Sequence, residues 1–230
     1  MHPLLEVIAL NETDARNAEA GGADRLELVG SMDSDGLSPS DRTVERVRSA
    51  TSLPVRVMVR LRAGFGTDAA ELDRLRRVAR RSVAAGADGL VLGFLDSDGD
   101  VDQRVMEALT DGCPVPWTFH RAVDHSSSPD RVWSVLRCLP GLDQVLSAGS
   151  PRGAGHGLAS LIRRAGSDAF AAARLMVGGG LAPVHVPPLL RAGVRAFHLG
   201  SLVRPGGSYA APVFTPYVAQ WRDLLNTDAA

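Results

Sequence analysis

The sequence predicts one closed (β/α)8 TIM barrel spanning residues 1–230, with a doubly wound open sheet as the alternative. Three observations lead there. Eight short runs rich in Leu, Val or Ile recur along the chain, each followed by a slot for one helix. Glycine stands just ahead of several of these runs, where a helix must end and a strand begin. The length of 230 residues suits one barrel better than two domains.

The predicted strands are Leu4–Leu10, Arg25–Val29, Val55–Leu61, Gly89–Phe94, Val115–His120, Gln144–Ser147, Arg174–Val177 and Ala196–Leu199. Segments of helical period lie between them: Thr13–Ala20, Ser40–Ala50, Ala70–Ala85, Asp102–Thr110, Asp130–Cys138, Gly157–Ala165 and Val184–Ala192. Gly-Ala-Asp recurs before two strands, at Gly22–Asp24 and Gly86–Asp88. Helix starts are marked at Ser38-Pro39-Ser40-Asp41, where Ser38 reads as the cap and Pro39 as the first helical residue. Thr67–Glu71 and Ser128-Pro129-Asp130 read alike. The tail, 206–230, is an irregular Pro/Gly-rich segment followed by a last helix whose stripe of Phe214, Val218, Trp221 and Leu225 packs on the barrel wall.

Composition narrows the function. Hydrophobic residues at 45% and a formal charge of −1 describe a globular chain with no basic footprint for nucleic acid or lipid. No run approaches a membrane span, and the start carries Glu6 without a basic leader, so cytoplasm is the expectation. Cys113 and Cys138 form no metal or disulfide pattern. All 25 basic residues are arginine. Schiff-base catalysis by lysine is therefore excluded.

Polar residues inside buried strands mark the site. The outer face of a parallel barrel strand is covered by helices, so mid-strand charges are expected to point into the lumen. That places Glu6, Glu27, Arg60, Arg62, Thr118, His120 and His198 inside. The stretch Thr118-Phe119-His120-Arg121-Ala122-Val123-Asp124 runs a strand into a titratable cluster. His120 reads as general acid or base, oriented by Asp124 or a lumen glutamate, with Glu6 or Glu27 as a second proton-transfer group. Arg60, Arg62 and Arg121 read as an anion clamp. Gly178, Gly179 and Gly180 after the seventh strand, and Gly200 and Ser201 after the eighth, read as a phosphate cradle, joined by Ser147. The structural counter-reading is that Glu6 and Glu27 merely neutralise Arg60 and Arg62. Such a network stabilises less than an apolar layer would, which favours a ligand.

Several segments together resemble the CutC family, named for copper homeostasis. They include Gly22–Leu28, Asp35-Gly36-Leu37-Ser38-Pro39-Ser40, Val57–Gly64, Thr118–Asp124, Val145-Leu146-Ser147, Gly178-Gly179-Gly180 and Phe197-His198. The resemblance implies a (β/α)8 barrel, a homodimer and an association with copper. This chain departs from the family where cysteines often stand: those positions are Ile8 and Val29, and Leu61 replaces a proline between two arginines. Cu(I) prefers soft sulfur ligands, so copper at the usual thiol positions is not expected. No organic cofactor is indicated, and no residue is assigned to a metal. The expected ligand is a small anionic or phosphorylated metabolite, with lysine-independent lyase or isomerase acid–base chemistry as the candidate reaction. The alternative is a metal-binding protein without turnover, using Glu6, Glu27, His120 and His198 as a mixed N/O site.

Overall fold

The computed structural model describes residues 2–227; Met1 and 228–230, the extremes of the expected domain, lie outside the described residues. The strands are β1 (Leu4–Ala9), β2 (Arg25–Leu28), β3 (Val55–Met58), β4 (Gly89–Leu92), β5 (Trp117–Phe119), β6 (Leu142–Ser147), β7 (Leu175–Val177) and β8 (Ala196–Leu199). They pair in sequence order, and β8 returns to β1 through Glu6↔His198, closing a parallel barrel. The open-sheet alternative falls with that pairing.

Around the barrel run α1 (Glu12–Ala20), α2 (Asp41–Arg48), α3 (Ala69–Ala84), α4 (Gln103–Thr110), α5 (Pro129–Leu136), α6 (Ala154–Ala165), α7 (Ala169–Arg174), α8 (Val186–Arg191) and α9 (Thr215–Thr227). The short α7 was not expected; it is capped by Asp168 and runs directly into β7. Helix α2 starts one turn element later than Ser38 indicated, with Ser40 Oγ accepting from Thr43 N. Asp68 caps α3, and Pro129 opens α5.

Alternation within the strands divides the apolar residues. Leu5, Val7, Leu26, Leu28, Val55, Val57, Leu90 and Leu92 face the helices in the main core. Inside the barrel, Leu146, Met176 and Ala196 form one apolar patch, while Ile8, Val29, Met58 and Val91 form another. The lumen is therefore packed, with polar residues set between the two patches.

The Gly-Ala-Asp repeat has a structural reason. Asp24 accepts a hydrogen bond from Leu5 N, and Asp88 accepts one from Val55 N, at 2.7 and 2.8 Å. Each aspartate thus ties the start of the preceding strand to its own, and the glycine before it adopts a positive φ to turn the chain.

A second anchor binds the tail. Asp14 on α1 is fully buried and accepts hydrogen bonds from Leu10 N, Val213 N and the Arg204 guanidinium. Arg204, also buried, donates to the carbonyls of Ile8 and Ala211 as well. This pins the irregular segment 205–212 across the barrel before α9 packs on α1.

Candidate ligand site at the barrel mouth

Strand ends and the loops after them enclose a cavity of about 260 Å³. Its walls include Glu27, Met58, Arg60, His120, Arg121, Gly179, Gly180, His198, Gly200 and Ser201. That is most of the predicted set, gathered from β2, β3, β5, β7 and β8. Catalytic groups of such barrels sit at this end.

On one wall stands a buried ionic chain. Arg25 Nε donates to Glu6 Oε2 at 2.5 Å, and His198 Nδ1 lies 2.8 Å from Glu6 Oε1. His198 Nε2 then lies 3.3 Å from Glu27 Oε2. Burial would raise the Glu6 carboxyl, but Arg25 and the bond from His198 outweigh it and hold it at about 2. Burial dominates at Glu27, where His198 only partly offsets it and the Glu6 charge adds to it, giving about 7. At His198 burial favours the neutral ring, but Glu27 and Glu6 together raise it. The wall thus presents one carboxyl poised near neutral pH beside a ring whose protonated form the two glutamates favour.

The opposite wall is cationic. Arg60 donates to the carbonyls of Ser34, Gly36 and Gly64 at 2.6, 3.2 and 3.1 Å and lies over the Phe65 ring. Among the described residues no hydrogen bond engages its Nη2. Gly64 belongs to the loop after β3, and the first two carbonyls come from a loop in which Ser34 and Asp35, neither of them glycine, hold φ of 56 and 63°. Such a conformation costs on the order of 1 kcal/mol per residue and is typical of ligand-binding turns. Arg121 is held by Asp124 at 2.9 Å and by the carbonyls of Ser150 and Pro151, leaving Nη1 without a bond.

His120 stands between these walls. It caps the 3-10 turn Arg121–His125, with Nδ1 accepting from Ala122 N at 3.2 Å. Gly93 gives the ring its room, since a Cβ there would lie 2.7 Å from Nδ1. Burial, then Arg60, pushes its pKa down to about 3, so the ring is neutral. Its Nε2 is buried and has no hydrogen-bond partner among the described residues.

Several predicted members stand elsewhere. Arg62 is exposed and pairs with Glu71 and Asp68 on α3, because β3 ends at Met58 and the two-residue alternation stops there. Asp124 does not orient His120: its oxygens accept from Arg121, Ser147 Oγ, Ala148 N and Gly149 N, so it ties the β5 and β6 loops together. Ser147 is spent on that bond. Thr118 is fully buried on the side of Arg56, whose Nη1 reaches it at 3.4 Å. Gly178 does not line the cavity; a Cβ there would strike His198 and Leu146. The counter-reading, in which Glu6 and Glu27 neutralise Arg60 and Arg62, finds no such pairs: Glu27 lies against His198, and Glu6 pairs with Arg25. That cation stands two residues before Glu27 and so on its face of β2, a signal present in the sequence. Tyr209 and Asp35 also line the cavity, supplied by irregular segments without a readable period.

The donor set was also tested against copper. Ile8 and Val29, at the family's usual thiol positions, both line the cavity within an apolar cluster that includes Met58. Cys113 and Cys138 do not line it. Glu6, Glu27 and His198 bring ligand atoms within 4.8 Å of one another, and His120 is not part of that group. Two oxygen donors and an imidazole are a poor match for Cu(I), and the guanidinium of Arg25 occupies Glu6. No thiol lines the cavity among the described residues, and the Glu6–Glu27–His198 set does not fit a soft copper site.

Fold and site together define a TIM-barrel protein whose C-terminal mouth holds a largely apolar pocket carrying two arginines, Arg60 and Arg121, with Glu27, His120 and His198. No helix among the described residues is long and apolar enough to cross a membrane. Comparison with known proteins is more specific: the CutC family model matches residues 3–203, and the chain belongs to that family. A CutC family protein of Xanthomonas campestris pv. campestris (strain B100) is 38% identical over 219 residues, 93% of this chain and 88% of the relative. The human copper homeostasis protein cutC homolog is 36% identical over 198 residues, 85% of this chain and 72% of the relative. A crystal structure of CutC from Streptococcus agalactiae superposes with a TM-score of 0.77 at 27% identity, covering 86% of this chain and 98% of that one.

Proposed function

We propose that the mouth binds a small anionic metabolite, carboxylated or phosphorylated, and changes it by acid–base chemistry centred on Glu27. The observation that carries this is the pair Arg60 and Arg121. Each guanidinium is fixed by its own loop, and each keeps one nitrogen without a hydrogen bond beside the same cavity. Preorganised guanidinium groups suit carboxylate or phosphate recognition. The backbone N–H groups of Gly179 and Gly180 also find no acceptor among the described residues, which supports an anion at that edge.

Glu27 supplies the proton chemistry. A carboxyl near 7 exchanges a proton at neutral pH without a large driving-force penalty. Taking a proton from a carbon beside a carbonyl needs no lysine. Returning it to the same or a neighbouring atom is isomerase-type chemistry; breaking the bond to a leaving group on the adjacent carbon, with a double bond formed in its place, is lyase-type chemistry. His198 holds Glu27 in place and opposes its negative charge, while Glu6 orients the His198 ring.

Isothermal titration against a panel of carboxylated and phosphorylated metabolites, inorganic phosphate included, tests the reading. The expected result is a panel member that binds the wild type and loses tenfold or more affinity in Arg121→Gln. A panel without binders, alongside stoichiometric binding of a divalent metal, would overturn it. The metal reading rests on the Glu6–Glu27–His198 cluster alone.

A further inference from the structure

We infer that His120 is a fixed neutral donor whose Nε2–H receives an acceptor oxygen of the ligand, so that this nitrogen is closed both to protons and to metal ions. The inference deepens the anion reading of the same cavity and names the chemistry the ligand must present there: a carbonyl, carboxylate or phosphoryl oxygen.

The geometry leaves little choice of tautomer. A backbone N–H cannot accept, so Nδ1, 3.2 Å from Ala122 N, must hold a lone pair. In a neutral ring the proton then resides on Nε2. That atom is buried without a partner, although the ring lines the cavity. An unmet buried donor is unfavourable, and a ligand oxygen would satisfy it on binding. Ring reorientation is blocked: Gly93 lies against Nδ1 and Cε1, and Phe65 and Phe119 pack at centroid distances of 5.5 and 6.1 Å.

The surroundings keep the ring uncharged. Arg60 from the β3 end, with Arg121 and His125 from the following turn, are the charged or titratable groups acting on it, and each opposes a second proton. No carboxylate is among them. A metal ion at Nε2 would need the proton to leave while Nδ1 stays engaged with Ala122, so neither tautomer serves. Proton acceptance in the cavity therefore falls to Glu27, and His120 polarises the ligand oxygen as a neutral hydrogen-bond donor.

Long-range proton–nitrogen NMR on 13C,15N-labelled whole protein reads this directly, with the His120 signals assigned through its backbone. The expected spectrum has a protonated Nε2 and an unprotonated Nδ1, both unchanged from pH 5.5 to 8.5. Adding Zn²⁺ is expected to leave both signals in place. Titration of the ring in that range, a protonated Nδ1, or loss of the Nε2 proton on adding Zn²⁺ would overturn the inference. None of these readings depends on the metabolite panel, so failure of the anion reading and failure of the donor assignment are separable.

Discussion

Glu6 and Glu27 enter the lumen from neighbouring strands and flank the same His198 ring, yet they hold opposite protonation tendencies. Arg25 and the His198 bond keep Glu6 at about 2, while burial without a cation of its own lifts Glu27 to about 7. The difference lies in one guanidinium, and its consequences are measurable.

Glu27 sets a stability slope near neutral pH. Between about 4.5 and 7 the folded state keeps a proton that the unfolded chain has released. Its contribution is thus full below 4.5 and is lost as pH rises through 7; the raised His198 acts in the same direction. Glu27→Gln should flatten this slope, gaining on wild type by on the order of 2 kcal/mol by pH 8. Melting temperatures from pH 5 to 8.5 check it, and parallel curves would refute it.

Glu6 supports the opposite side. Its lowered pKa adds stability that is present above 4.5 and lost as pH falls toward 2. Glu6→Gln leaves Arg25 and His198 buried without their counter-charge and is expected to cost about 3–5 kcal/mol in urea denaturation. Combining it with Arg25→Met should recover part of that loss.

Gly93 tests the placement of His120 without touching its chemistry. In Gly93→Ala the new Cβ would lie 2.7 Å from Nδ1, so the ring must shift. The expected result is a stability loss of about 1–3 kcal/mol with tenfold or greater loss of anion affinity. Wild-type affinity would show that His120 does not touch the ligand.

Copper binding should be weak. Competition against a Cu(I) chelator is expected to find well under one ion per wild-type chain. The double variant Ile8→Cys with Val29→Cys, which restores sulfur at cavity-lining positions, should bind at least tenfold more tightly. Equal binding by both proteins would place copper elsewhere.

The Asp14–Arg204 pair should govern the tail segment. Asp14→Asn removes a charge that faces a fully buried guanidinium, at a cost of about 3–5 kcal/mol. Limited proteolysis within 205–212 should accelerate in this variant. Unchanged cleavage would show that the segment is held by α9 alone.

The barrel was legible because each strand announces itself twice, by an apolar run and by a turn residue. Gly22 and Gly86 with their following aspartates do this in the clearest form. The mouth was legible wherever period-two alternation reached it, as at Glu27, His120 and His198. Arg62 was misplaced because alternation was extended past Met58, where backbone pairing ends. Asp124 lies next to His120 in the chain but is turned to β6 by three donors there, a long-range contact that local spacing does not encode. Asp14 looks like any polar residue on a helix. Only the arrival of Arg204 from the far end of the chain explains its complete burial.

Tyr209 closes the cavity from the pinned segment, with its hydroxyl over Gly200, where a Cβ would lie 2.0 Å from that oxygen. The ceiling of the chamber thus hangs on an irregular segment that adds no strand to the barrel. How far that segment reaches over the strand ends sets the size of guest the chamber admits.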